Sequence, residues 1–150
     1  AIGPPKRLMD VVPRPMAFTV DGLMLAGDLT AFVGEGDAGK STLLYHLAAA
    51  IASGHHAFEQ FRVPRSGNVL LLSGGEDDAE LMRNRISSMC LAHGWPESEV
   101  LTRVHVYDEG IDLDSDQWER RITRELKALQ AVAFFCERLL GRPAVGDAQR

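Results

Sequence analysis

Two cysteines are few for 150 residues, and that scarcity excludes something. Cys90 and Cys136 stand at no metal-ligand spacing and cannot form a disulfide framework, so they read as reduced, buried thiols of a cytoplasmic protein. Basic residues are outnumbered, 16 Lys and Arg against 21 Asp and Glu, for a net charge of −5. That balance disfavours a free-standing nucleic-acid binder, whose footprint is a basic patch or stripe. No apolar run approaches the ~20 residues of a membrane-spanning helix. No basic segment followed by an apolar one opens the chain, so no secretion signal is visible. What remains is the composition of a soluble globular domain, 45% hydrophobic and 25% charged. The length suits one domain.

Four of the seven prolines fall in residues 1–16, which read as an extended lead-in. Asp21-Gly22 signals a turn. Residues 29–33 (Leu-Thr-Ala-Phe-Val) have strand length and run directly into Gly34-Glu35-Gly36-Asp37-Ala38-Gly39-Lys40-Ser41-Thr42. Leu43, Leu44, Leu47, Ala48 and Ile51 then trace one helical face, and Gly54 sits where a C-terminal cap belongs. Residues 55–68 read as loop, His55 and His56 included, since adjacent histidines cannot share a helix face as a metal pair.

Val69 to Ser73 lacks polar alternation and predicts a strand covered on both faces, as in a parallel sheet. Asp77 with Glu80 resembles a capping box, with Asp78 left to solvent. The helix that follows turns Leu81, Met82, Ile86 and Met89 inward and ends near Gly94. Val104 to Tyr107 predicts a third strand. Asp116 with Glu119 caps a last helix, whose apolar face is Trp118, Ile122, Leu126 and Leu129. The alternation of strand and helix predicts an α/β domain with a parallel sheet. The division expected is a lead-in over 1–16, a domain over 17–140 and a tail over 141–150.

Gly34-x-x-x-x-Gly39-Lys40-Ser41 is a complete P-loop motif. Its spacing follows from chemistry. Glycines let the backbone wrap closely enough for successive N–H groups to face phosphate oxygens. The following helix adds its own unpaired N–H groups and the positive end of its dipole. Lys40 then reaches the β- and γ-phosphates, and Ser41 binds Mg²⁺. The nucleotide-binding set is Gly34, Glu35, Gly36, Asp37, Ala38, Gly39, Lys40, Ser41 and Thr42. Glu35 and Asp37 either point to solvent or weaken anion binding until Mg²⁺ is present. Glu76, Asp77 and Asp78 follow a strand directly, where ligands sit in open α/β sheets. A carboxylate there can orient and deprotonate an attacking water.

The run Asp21-Gly22-Leu23, Gly27-Asp28-Leu29-Thr30, the P-loop, and then Val69-Leu70-Leu71-Leu72-Ser73-Gly74-Gly75-Glu76-Asp77 with Arg83 and Arg85 resembles the RecA-like AAA family ATPases. Within that family it is most similar to the RepA-type hexameric replicative helicases. The likeness covers roughly residues 15–128. It implies a P-loop NTPase fold with a RecA-like parallel sheet flanked by helices. It also implies ATP and Mg²⁺ as ligands, Glu76 and Lys40 as catalytic residues, and DNA and a hexameric ring as partners of the full-length protein.

One departure stands out. The family continues with an apolar strand ending in the aspartate that supports Mg²⁺, and here residues 131–137 read Ala-Val-Ala-Phe-Phe-Cys-Glu. Glu137 is one substitute for that acid, and the Asp108-Glu109 pair after Val104 to Tyr107 is another. The plainer reading continues the last helix through Leu140, with Ala133, Cys136 and Leu140 extending its stripe. The expectation that follows is a truncated or frame-altered ATPase, native up to about residue 130 and falling short of the full domain. Two rival functions remain: a module that binds nucleotide without turnover, and a small-molecule P-loop kinase. For DNA, weak binding by this chain is expected; a salt-sensitive mobility shift of single-stranded DNA at physiological salt would contradict it.

Overall fold

The computed structural model describes residues 2–27, 30, 39–73, 77–109 and 115–137. Residues 2–17 are exposed and contain one 3₁₀ turn, Leu8–Asp10, closed by an Arg7–Asp10 ion pair. β1 (Phe18–Val20) and β2 (Met24–Leu25) then pair antiparallel across the Asp21-Gly22 turn, where Gly22 takes a φ of 75°.

Among the described residues, three strands form the main sheet: β3 (Val69–Leu72), β4 (Val104–Tyr107) and β5 (Ala133–Cys136). They are parallel, in the order β4-β3-β5. Central β3 is buried on both faces, as its unbroken apolar run requires. Val69 and Leu71 join a core with α1 (Lys40–Ser53), α2 (Ala79–His93) and α3 (Glu97–Arg103). Leu70 and Leu72 face the other way, against Ile122, Leu126 and Leu129 of α4 (Asp116–Leu129). The result is a parallel α/β sheet flanked by helices on both faces, as the strand–helix alternation predicts.

Several elements differ from the sequence reading. The last helix does not run through residue 140. Its last residue is Leu129, and Gln130 turns into the left-handed region with φ 50° and bonds back to Leu126 and Lys127. Val132 then donates to the Asn68 carbonyl at 2.8 Å, and β5 pairs along the whole of β3. A strand edge on β3 outweighs the helical stripe because Phe134 and Phe135 can each fill one of the two cores. Helix α3 was not foreseen; its first turn carries Glu97 and Glu99, its last carries Arg103, and Val100 alone in it is buried. Leu81 does not face inward but is 38% exposed, and Cys90 takes the third buried position of α2 beside Met82 and Ile86. The N-cap of α4 is Ser115 rather than Asp116, and its side chain makes no capping bond. The strand expected over 29–33 lies outside the described residues apart from Thr30, as do residues 138–150.

Helix α1 runs antiparallel to the strands. Gly54, just past its end, lies against Ser66 ahead of β3, and Arg103, ahead of β4, donates to the Ala52 carbonyl at 2.8 Å. The amino end of α1 therefore lies at the carboxyl ends of the strands. From Leu44 to Ala52 every residue is buried, so the helix is covered on all sides rather than along one face.

One of those residues is ionisable. His46 is 7% exposed, its Nε2 accepts the Phe58 amide at 2.7 Å, and its ring stacks on Phe58 with centroids 4.2 Å apart. Phe58 and Glu59 have φ of 52° and 59°, so these contacts hold a turn that L residues rarely adopt. Burial, and secondarily His93 on α2, hold His46 below its usual pKa. For a base whose folded-state pKa is depressed, stability is complete above the unfolded value, about 6.5, and is lost as pH falls through the folded value. Urea unfolding is therefore expected to show a larger loss between about pH 7.5 and 5.5 for the wild type than for His46→Gln. Equal losses would show that His46 does not contribute.

Candidate functional site

The chain enters α1 through Gly39, which has φ 87° and serves as the N-cap. A Cβ is strained at that angle, which is why the motif needs glycine there rather than any small residue. No side chain caps the helix, and its first turn holds no acid. The first intrahelical bond closes from Leu43 N–H to the Gly39 carbonyl at 3.0 Å. The amides ahead of Leu43 accordingly have no acceptor within the helix, and with the dipole they make an anion-binding end. Lys40 and Ser41 are half-buried and Thr42 is exposed, all in this first turn. Gly34, Glu35, Gly36, Asp37 and Ala38 lie outside the described residues, as does Glu76.

Acidic residues collect across from this helix end, at the carboxyl ends of the strands. Asp77 and Asp78 follow β3, Asp108 follows β4, and Glu137 follows β5. Their duties differ from the sequence reading. Asp78, not Asp77, caps α2: its Oδ1 accepts the Leu81 amide at 2.8 Å. Asp108 adds a second cap from the neighbouring strand, accepting the Ala79 amide at 3.0 Å. Asp108 is thereby committed to α2, which weakens the Asp108-Glu109 pair as the substitute for the missing aspartate. Asp77 is free of capping because it turns the other way, to α1. Its Oδ2 accepts the hydroxyl of Tyr45 and lies 3.7 Å from Nη1 of Arg85.

Glu137 extends the β5 ladder, its amide donating to the Leu72 carbonyl at 3.0 Å. Its charge reaches Tyr45. Burial, the hydrogen bond to Asp77 and the charge of Glu137 together push the Tyr45 hydroxyl well above the usual phenol range. The acid after β3 therefore borders the second turn of α1. Burial and then the charge of Glu137 push the Cys136 thiol up to about 11, which keeps it protonated at neutral pH.

A family model described as an AAA domain matches residues 5–138. The chain belongs to the AAA family. No curated protein and no solved structure matches it significantly. An AAA domain is a nucleotide-binding module of ATPase type with a P-loop, which agrees with the glycine-led entry into α1 and the parallel sheet behind it. The group that such a module binds with its nucleotide is Mg²⁺, and the donors available fit it. The Ser41 hydroxyl and the Glu137 carboxylate are hard oxygen ligands. Among the described residues no cluster of three His, Cys, Asp or Glu side chains could hold a metal alone. Among the described residues, too, no helix is long and apolar enough to cross a membrane.

Tyr45 escaped the sequence reading. The signal was present: a tyrosine inside an otherwise leucine- and alanine-rich helix must find a partner for its hydroxyl once buried. The division of labour between the two aspartates is directly testable. Asp78→Ala is expected to lower the unfolding free energy by about 1 kcal/mol, and Asp78→Asn to retain most of it, because asparagine caps as well as aspartate. A silent Asp78→Ala in urea unfolding would contradict the assignment.

Proposed function

We propose that this AAA domain is the ATP-binding and ATP-hydrolysing core of a RecA-like protein of the RepA type, which in its full-length form drives DNA as a homo-oligomeric ring. The observation that carries the proposal is the P-loop motif opening into an uncapped α1 across from a row of carboxylates at the strand ends. In this reading the amides of the loop from Gly34 to Thr42 cradle the phosphates, and Lys40 neutralises the β- and γ-oxygens. Glu76 accepts a proton from the attacking water as its oxygen bonds to the γ-phosphorus, while the bond to the ADP oxygen breaks. Ser41, with Glu137 at the end of β5, would hold Mg²⁺ together with the nucleotide, and the ion would supply charge neutralisation to the phosphates.

Glu137 takes the place of the aspartate expected at the end of the β5 strand. What supports this is its position: the described chain after α4 is a strand parallel to β3 with this acid at its end. With β5 present, the domain extends past residue 130, further than the resemblance alone implies. A longer side chain at that point also sustains a second reading, a module that binds nucleotide and turns it over slowly or not at all.

Fluorescent-nucleotide titration tests the binding step. Mg-ATP is expected to bind the wild type, and Lys40→Ala to weaken it at least about tenfold, the order set by loss of a charged phosphate contact. Turnover assays then separate the readings. Hydrolysis in the wild type that is abolished by Glu76→Gln and sharply reduced by Glu137→Gln supports the ATPase. Binding without turnover in the wild type supports the second reading. No binding in either protein would defeat both.

A further inference from the structure

The carboxyl end of α1 lies at the amino ends of the strands, away from the phosphate-binding motif. A cavity of about 410 Å³ opens there, walled by Gly54, His55, His56, Glu59, His93 and Trp95. One side of it is the turn at Phe58 and Glu59, whose φ values are 52° and 59°. L residues enter that region at a conformational cost, so the turn keeps its shape only while something outside it holds it.

The hold is narrow. The two feet of the turn are fixed. Ala57 is fully buried and pairs with Phe61 in both directions, and the Arg62 carbonyl accepts the Asp21 amide at 2.8 Å. The tip is tied to α1 by His46, whose Nε2 accepts the Phe58 amide at 2.7 Å and whose ring stacks on Phe58. An imidazole accepts through Nε2 only while it is neutral, with its proton on Nδ1. A second proton sets one donor against another and puts a charge on a ring that is 7% exposed. The surroundings do little for that charge. From α2, His93 meets the ring edge-on at 5.1 Å and repels it when itself protonated. Cys90 on the same helix is buried, which pushes its thiol up and keeps it neutral. From α3, Arg103 is turned to Glu99 and to the Ala52 carbonyl. Glu59 points to solvent, 3.9 Å from His93, and His55 and His56 are exposed.

We propose that His46 and the Phe58-Glu59 turn form a proton-operated latch: a second proton on His46 breaks its bond to the Phe58 amide, frees the turn between its fixed feet and opens the cavity at the end of α1. The release is local. Lifting residues 58–60 gives up one hydrogen bond and one ring stack, relieves two left-handed residues and lets water reach the imidazolium. Unfolding α1 around Tyr45 and Leu47, both fully buried, would give up the core instead. The latch does not rest on the ATP reading, since Lys40 and Ser41 stand at the other end of the helix.

The test is amide hydrogen exchange of the full chain between about pH 7.5 and 5, read by NMR as protection at each residue, beside His46→Gln. Glutamine offers an acceptor oxygen and does not titrate. In the wild type, protection of the Phe58 amide is expected to fall below about pH 6.5, by about tenfold per pH unit until the folded value of His46 is reached. The amides of β3 are expected to keep their protection, and the Phe58 amide of His46→Gln to vary by less than about twofold. Acrylamide quenching of Trp95 is expected to rise over the same range in a Trp118→Phe background, which removes the other tryptophan. Constant Phe58 protection in the wild type overturns the latch. A parallel loss at β3 overturns it too, because the opening is then global, as does an undiminished loss in His46→Gln, because another group then titrates. Lost protection with unchanged Trp95 quenching overturns the opening of the cavity, and the proposal with it. If His46→Gln does not fold, the wild-type imidazole resonances decide: a His46 midpoint shared with the loss at Phe58 supports the latch, and a separate one overturns it.

Discussion

The narrowness of α1 is the constraint on which the rest depends. Its middle, Ala48-Ala49-Ala50, presents little more than backbone, so the sheet, α2 and α3 can all close on it together. A helix of bulkier residues would have to keep one face toward solvent, as amphipathic surface helices do. Full burial fixes the helix as a rigid post, and its direction then decides the chemistry. Because it runs against the strands, its amino end, with the positive end of the dipole, arrives where the strands deliver Asp77, Asp108 and Glu137.

That meeting places several acids near one another, and like charges in a partly buried setting repel. The fold answers the repulsion piece by piece. Asp78 and Asp108 are drawn to the amides of α2, where the helix dipole favours them. Asp77 is held between a phenol hydroxyl and a guanidinium.

Much of this was legible in the residues. The P-loop follows from glycine conformational freedom and phosphate chemistry, and the described structure contains its end, Gly39 at φ 87° leading into Lys40 and Ser41. The both-faces burial of β3 follows from a run with no polar alternation. What could not be read were choices between neighbours. Asp77 and Asp78 are chemically identical and adjacent, and only the position of Tyr45, thirty-two residues back along the chain, decides which one caps α2. Likewise residues 131–136 suit a helix stripe or a strand about equally by periodicity, since a short apolar run carries no clear period. The open edge of β3 decides it, and that edge exists only after the sheet has formed.

The same reasoning explains why the acid after β5 was hard to weigh from sequence. As an extension of a helix, residue 137 has no bearing on the phosphates. As the residue that follows a strand in register with β3, it shares the strand-end row with the chain that leaves β3 for α2. Register thus converts an ordinary glutamate into a candidate for the cation-supporting role, with no change in its chemistry. The extra methylene of glutamate over aspartate lengthens the side chain by about one C–C bond, so the backbone need not approach the phosphates as closely. Burial, the hydrogen bond to Asp77 and then the charge of Glu137 raise the pKa of the Tyr45 hydroxyl on the P-loop helix. The substitution is therefore compatible with the same electrostatic task, provided the longer side chain is held as firmly as Asp77 is held on the other side.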